Sequence, residues 1–322
     1  MKILEKIKSR KLSKTLAAVA ASGFLFFSTS DALADSNAEF KFREAYLSET
    51  QSTRVFNQNI DFFSNTFHAD ADSKGKVLRD GTMQISGNFN WAYTNPSNNI
   101  TINKNIPFYI TQNGNSEMTL HVQRNGKWSK FLLPGMPSSF VNALSTTDHA
   151  ILQENMKAIR NVELFRETNT QQIFEITLDG KYLAQLMENY SISKDNLSDE
   201  ERENHEFFSR NLQAALKKND INCTWTFDKV NKHTLTVVIN FTELMRNYAK
   251  SALNEAAAGT IVLSDEDRML FDTIGYYSEF HYTLNYSNDD ANYAPSAEAQ
   301  KAAENRNIFN DLVREMVTSV KK

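Results

Sequence analysis

The sequence predicts an α+β protein organised around a large, curved antiparallel sheet. Three observations predict it: two long runs in which polar and apolar residues alternate, Asn-Gly pairs between such runs, and helical patterns inserted between later strands. Side chains of a strand alternate between its two faces, so each run has one apolar face and one polar face. Long two-faced strands joined by short turns build a sheet of this kind.

The two longest runs are MQISGNFNWAY at 83–93 and ITINKNIPFYI at 100–110, joined by turn-forming residues at 94–98. A strand is predicted at 67–72 before them, and two more at 118–122 and 128–133 after them. Asn113-Gly114 and Asn125-Gly126 separate these later runs. Asn-Gly favours a tight hairpin because both of its residues tolerate positive φ. We therefore predict an up-and-down meander of at least five strands.

The remaining chain alternates helical and strand patterns. Two helices are predicted within 36–65, and others at 138–144, 148–160, 181–188, 196–218, 242–258 and 296–320. A short helix or a turn is predicted to start at 264–267. Strands are predicted at 162–164 and 174–178 as a hairpin, and at 221–227, 235–241 and 276–286. The total is about ten strands, with a helical insertion at about 181–218.

The N-terminus has the three parts of a secretory signal peptide. Residues 1–14 are basic, residues 16–27 are apolar, and Ala32-Leu33-Ala34 matches a signal-peptidase site. The apolar part is too short to span a bilayer, and an amphipathic helix of the folded protein is the alternative interpretation. No cysteine follows it that could carry a lipoprotein anchor. We expect cleavage near Ala34, export to the periplasm, cell envelope or exterior, and a single mature domain at 35–322 without a transmembrane segment.

Charge and cysteine content narrow the classes of partner. The whole chain has a net charge of −4, and residues 1–34 contain six basic and two acidic residues, so the remainder is near −8. Nucleic acids and anionic membrane surfaces both require clustered Lys and Arg, and are therefore not expected as main partners. The single cysteine, Cys223, alternates with apolar residues and is predicted to be a core residue; a reactive thiol is the alternative.

No sequence motif for catalysis or metal binding is visible. None of the six histidines stands in an HExxH or Cys-His spacing, and GxSxG, GxGxxG and P-loop sequences are absent. His68, Asp70 and Asp72 share a strand face. Their side chains could together bind a metal ion, or they could simply be exposed to solvent, and we favour solvent exposure. His121 and His281 are predicted to be exposed. We expect no enzyme and no cofactor, with an active site built from scattered residues as the remaining alternative.

The aromatic residues of the strands are predicted to face one side of the sheet. Either helices pack there and complete a core, or the sheet curls and leaves an apolar cavity for a ligand. Under the second interpretation, the predicted lining is Met83, Ile85, Phe89, Trp91, Ile106, Phe108, Trp225, Ile239, Phe280 and Tyr282.

Two stretches resemble the LolA/LppX-like group of exported lipid and lipoprotein carriers. One is Gly87-Asn88-Phe89-Asn90-Trp91 followed by Pro96, and the other is the aromatic strand, Asn-Tyr loop and Pro-Ser helix start at 282–299. The resemblance implies an incomplete, half-open β-barrel of about eleven strands, with inserted and terminal helices covering one face. This chain differs in lacking the lipid-anchor cysteine and in its larger insertion at 181–218.

The resemblance also implies a function. We expect an exported carrier or chaperone that binds a lipid acyl chain or a lipoprotein in its apolar concave face. The alternative is a non-enzymatic interaction protein of the cell surface or envelope, with a fully packed core. The oligomeric state is not predicted.

Overall fold

A computed structural model describes residues 37–48, 54–64, 67–78, 82–94, 99, 101–113, 118–133, 156–189, 199–287 and 291–305. Several predictions lie outside these residues: the signal peptide at 1–34, the turn at 95–98, Gly114, the helix at 138–144, the helix at 148–160 up to residue 155, the helix cap at Ser198, and everything after residue 305.

The described residues contain a single sheet of twelve strands, which does not close on itself. The strands are β1 (Arg54–Phe63), β2 (Phe67–Val77), β3 (Met83–Thr94), β4 (Thr101–Gln112), β5 (Met118–Arg124), β6 (Lys127–Leu133), β7 (Ile159–Glu167), β8 (Gln171–Leu178), β9 (Ile221–Asp228), β10 (His233–Asn240), β11 (Glu279–Ser287) and β12 (Ala303–Glu304). Their order across the sheet is β12-β6-β5-β4-β3-β2-β1-β11-β10-β9-β8-β7. This arrangement confirms the α+β class and is consistent with an incomplete barrel.

Six α-helices accompany the sheet in the described residues. They are α1 (Asn37–Leu47), α2 (Gly180–Asn189), α3 (Asp199–Leu216), α4 (Thr242–Ala257), α5 (Asp265–Tyr277) and α6 (Ala297–Gln300). Helices α2 to α5 pack against one another in chain order, and ring contacts such as Phe207–Phe271 and Tyr248–Phe271 join them. Ser264 and Asp267 form a capping box at the start of α5, and Gly259 (φ 73°) follows the end of α4.

The predicted five-strand meander is confirmed as β2 to β6, with each strand antiparallel to the next. Asn125 and Gly126 have φ angles of 49° and 75° and connect β5 to β6. Both residues thus adopt the left-handed conformation that the Asn-Gly pair predicts.

The strand register places the ten predicted lining residues on one face, which we call the inner face. Within the meander, Trp91 lies opposite Ala69, and Phe89 lies opposite Ile106. In the second half, Trp225 lies opposite Phe174. Pairing of β1 with β11 continues this face from one half of the sheet to the other.

A glycine permits close approach of β2 and β3. A Cβ atom at Gly87 would lie 2.4 Å from both the Asp72 carbonyl oxygen and the Ser73 Cβ. Such contacts are far inside van der Waals distance, so no side chain fits without displacing the backbone of β2. Glycines at such points allow a strand to bend and a sheet to curl.

Residues 54–63 form strand β1, although the second of the two helices predicted within 36–65 fell here. Val55, Phe56, Ile60 and Phe63 imitate a helical stripe, but Phe56, Gln58 and Phe62 alternate as in a strand and are buried. The strand pairs with β2 on one side and with β11, more than 200 residues later, on the other. These tertiary pairings override the local pattern.

Three other element predictions are wrong at their boundaries. The helix predicted to reach residue 160 gives way to a 3₁₀ turn at Met156–Ala158 and to β7 from Ile159. The strand predicted from 276 begins at Glu279, because α5 continues to Tyr277. The last predicted helix ends at Gln300 after four residues, and Ala303–Glu304 then pairs in parallel with β6.

Candidate functional site

The inner face of β8 and β9 is sealed by α1. The ring of Phe42 lies 5.2 Å from that of Phe174, 5.8 Å from Trp225 and 6.3 Å from Phe227. Tyr46, one turn later on α1, lies 5.5 Å from Trp225. We call these five residues the β8–β9 cluster. All of them are buried, and the edge-to-face geometry of most pairs is the one that aromatic rings prefer.

Buried polar atoms in this region have partners, which indicates a structural role. The Trp225 indole Nε1 donates to Thr234 Oγ1 at 3.0 Å. Burial raises the pKa of the Cys223 thiol to about 12 and keeps it protonated and unreactive, as the core interpretation of this residue predicts.

The inner face of β3 and β4 differs from that of β8 and β9. Five of its apolar side chains are only half-buried, although each packs against the core: Phe89, Tyr93, Ile102, Phe108 and Ile110. We call these residues the β3–β4 patch. The register puts Phe89, Phe108 and Ile110 near one another and pairs Tyr93 with Ile102, and the pair of Trp91 with the inward-facing Lys104 lies between these two groups. The apolar side chains of the patch are accessible in part to solvent or to a ligand.

The ten predicted lining residues divide between buried and half-buried positions. Eight are buried, with exposed fractions of 6% or less: Met83, Ile85, Trp91, Ile106, Trp225, Ile239, Phe280 and Tyr282. Phe89 and Phe108 are half-buried and belong to the β3–β4 patch. The register places all ten on one face, but α1 covers Trp225.

Polar groups interrupt the inner face beside the patch. Tyr282 Oη donates to Gln58 Oε1 at 3.2 Å, and burial raises the pKa of this phenol well above 10. Gln58 lies opposite Ser73, whose Oγ is buried and has no hydrogen-bond partner among the described residues. Sequence reasoning missed this group, because 54–63 was predicted to be helical and only the register of β1 with β2 brings Gln58 opposite Ser73.

On the outer face, hydrogen bonds link polar side chains of β1 to β4. His68 Nε2 lies 2.6 Å from Asp61 Oδ1, Asn59 donates to Asp72 at 2.7 Å, and Asn90 donates to Asp70 at 2.9 Å. The shallow cleft in this region has a volume of about 420 Å³. Among the described residues, no three His, Cys, Asp or Glu side chains are grouped as a metal ion would require.

His121 is buried, which corrects its predicted exposure. Its Nδ1 lies 2.8 Å from the Ala299 carbonyl oxygen, because α6 packs against the outer face of β5 and β6. Burial lowers the pKa of this histidine below 6.5, so the neutral ring donates to the carbonyl. His281 is half-buried, and its Nε2 lies 3.4 Å from Glu279.

A second cleft, of about 550 Å³, lies between the end of α1 and the β9–β10 turn. At its border, Glu167 Oε1 accepts from Lys229 at 2.8 Å, and Oε2 accepts from Lys41 of α1 at 2.6 Å. These bonds, with a third from Gln172, lower the pKa of Glu167 to about 2. The carboxylate therefore connects α1 to the ends of β7 and β9.

None of the helices in the described ranges has both the length and the apolar composition needed to cross a bilayer.

The comparisons with known proteins are distant. No protein-family model matches the sequence, and no curated protein matches it. The crystal structure of LprF from Mycobacterium bovis is similar to this chain with a TM-score of 0.35 and 10% sequence identity, over 81% of this chain and 96% of that one. A likeness this distant bears on neither the ligand nor the activity of this protein.

Proposed function

We propose that the protein is an exported carrier that binds the acyl chain of a lipid, or of a lipidated partner, against the β3–β4 patch. The observation that supports the proposal is the patch itself: five apolar side chains of two paired strands face inward and are only half-buried. Partly exposed apolar side chains grouped in this way are characteristic of binding sites.

The energetics of burial suit an acyl ligand. Each methylene removed from water contributes roughly 0.8 kcal/mol, so burial of one acyl chain against the patch supplies useful affinity. The proposal involves no catalytic step, cofactor or nucleic acid. Export and the resemblance to LolA/LppX-like carriers stay predictions from the sequence.

The proposal is tested with purified protein in two measurements. Native mass spectrometry looks for co-purifying lipid, and titration with the fluorescent fatty acid cis-parinaric acid measures binding directly. The double variant Phe89→Ala/Phe108→Ala is expected to bind the probe at least about tenfold more weakly, because it removes two rings from the contact surface. Circular dichroism establishes that the variant remains folded.

The matched control is Phe165→Ala on β7, a phenylalanine that is 69% exposed and belongs to a different part of the sheet. It should bind the probe as the wild type does. Absence of both co-purifying lipid and probe binding in the wild-type protein would overturn the proposal.

One observation favours the alternative, an interaction protein with a packed core. Tyr276 and Tyr277, at the end of α5, are 59% and 63% exposed, and the Lys250 ammonium lies 5.1 Å from the centre of the Tyr276 ring. Exposed tyrosines are common at protein interfaces. If Tyr276→Ala/Tyr277→Ala abolishes cross-linking to a protein partner and the wild type binds no lipid, this alternative is supported.

A further inference from the structure

An unsatisfied hydroxyl lies within the inner face of the sheet. Ser73 is 5% exposed, and its Oγ has no hydrogen-bond partner among the described residues. The great majority of buried polar side-chain atoms in proteins are paired, and an unpaired one commonly marks a place for a bound water or ligand. Ser73 is therefore a candidate contact for a group from outside the chain.

The neighbours of Ser73 make its position specific. Across β2 it lies opposite Gln58 on one side and Gly87 on the other, and Gly87 in turn lies opposite Phe108. Two residues earlier on β2, Ala71 lies opposite Phe89. On the inner face, a single small residue separates Ser73 from each phenylalanine: Gly87 from Phe108, and Ala71 from Phe89.

We infer that Ser73 binds the polar end of the acyl ligand, with Ser73 Oγ donating a hydrogen bond to the carbonyl oxygen of an acyl ester. This inference rests on the proposed function, since it assumes an acyl chain on the β3–β4 patch. The chain lies over Phe89 and Phe108, and its carbonyl points toward β2. Binding then gives a hydrogen-bond partner to a hydroxyl that has none among the described residues.

The surroundings favour a neutral ester over a carboxylate. The polar groups next to Ser73, Gln58 and Tyr282, are uncharged, and the phenol stays protonated because burial raises its pKa. A carboxylate removed from water without a cation is costly. The inward-facing Lys104 lies opposite Trp91, which in turn lies opposite Ala69 of β2. Ala69 is four residues from Ser73, or roughly 13 Å along the strand, so this cation is distant from a carboxylate bound at Ser73.

The test compares ligands that share one chain but differ at its end. Methyl laurate, laurate and dodecane each compete with cis-parinaric acid for the wild-type protein at neutral pH. Methyl laurate is expected to compete best. Ser73→Ala should weaken the binding of methyl laurate by roughly two- to tenfold, because one hydrogen bond is lost. The binding of dodecane should be unchanged.

The matched control is Ser86→Ala on β3, because the register places Ser86 on the outer face. It should leave all three competitors unchanged. Thermal unfolding of unliganded protein gives a second readout: Ser73→Ala should keep or raise the Tm, since it removes a buried hydroxyl that has no partner.

The outcomes separate this inference from the proposed function. If the three ligands compete equally and Ser73→Ala changes none of them, the inference is wrong and the carrier function stands. A lower Tm for Ser73→Ala also overturns it, because the hydroxyl then has a stabilising partner, such as a bound water, without ligand. If the probe does not bind and native mass spectrometry detects neither a co-purifying lipid nor bound methyl laurate, both proposals fail.

Discussion

The β8–β9 cluster and the β3–β4 patch occupy the same face of one sheet, yet they differ in what covers them. In the cluster, α1 inserts Phe42 between the rings of β8 and β9, and every side chain is buried. In the patch, comparable residues such as Phe89 and Phe108 remain half-buried. Alternation within a strand thus determines which side chains face inward, whereas the helix that packs above them determines whether the site is closed.

Removing the ring that seals the cluster is expected to have the largest effect. Phe42→Ala should lower the free energy of unfolding by about 3–5 kcal/mol, because Phe42 is fully buried and its loss leaves a cavity among three rings. Urea denaturation measures the change. Phe40→Ala on the same helix is the control: Phe40 is 60% exposed, and its loss should cost no more than about 0.5 kcal/mol. Equal effects would mean that α1 does not seal the sheet.

A substitution at Gly87, where β2 and β3 approach closely, tests the packing of the sheet beside the β3–β4 patch. Gly87→Ala should destabilise the protein by about 1–3 kcal/mol, because its Cβ meets backbone that has no room to move. Gly275→Ala in α5 is the matched control, since its Cβ would be 3.6 Å from the nearest atom, at ordinary contact distance. Alanine also favours helix by up to about 1 kcal/mol, so this variant should be neutral or stabilised. A neutral Gly87→Ala would contradict the close approach.

A substitution of Glu167 tests whether its bonds to Lys41 and Lys229 help to hold α1 over the β8–β9 cluster. Hydrogen bonds from Lys229, Lys41 and Gln172 lower its pKa from 4.5 to about 2 in the folded protein. A lowered pKa means that the carboxylate stabilises the fold above pH 4.5, and that this contribution is lost as the pH falls from about 4.5 to about 2. Glu167→Gln should therefore lower the Tm at neutral pH, and calorimetry should show the difference shrinking over that range. A difference that does not depend on pH would exclude this role for the carboxylate.

The smallest effect is expected at His121, on the outer face beyond the patch. Because burial lowers its pKa below 6.5, the unfolded chain binds a proton more readily than the folded one. Its contribution to stability is complete above pH 6.5 and declines as the pH falls below that value. His121→Gln should flatten the dependence of the unfolding free energy on pH just below 6.5. An unchanged slope would show that folding does not lower the pKa of His121.

Local patterns predicted the meander well, because alternation and the Asn-Gly turn are properties of neighbouring residues. Strand β1 was missed because its partner β11 lies more than 200 residues away, and only that pairing distinguishes it from a helix. The same reason applies to His121, which is buried through Ala299, 178 residues later. The alternation placed all ten lining residues on one face, but the covering of Trp225 depends on Phe42 of a distant helix.

The polar group at Ser73 was missed for a different reason. A serine or glutamine inside a strand is unremarkable in sequence, and only the register shows that Gln58 and Ser73 lie side by side on the inner face. That register depends on the β1–β2 pairing, which was hidden by the helical interpretation of 54–63.

The two borders of the sheet bear on how the protein avoids self-association. A strand with unpaired backbone groups can recruit another chain and begin aggregation. On one border, β12 covers part of β6, and the Asn305 amide donates to the Lys130 carbonyl at 2.8 Å. On the other, β7 carries exposed charges at Arg160, Glu163 and Arg166, and its register shifts at two places. Charge and irregular pairing make β7 a poor template for a strand of another chain.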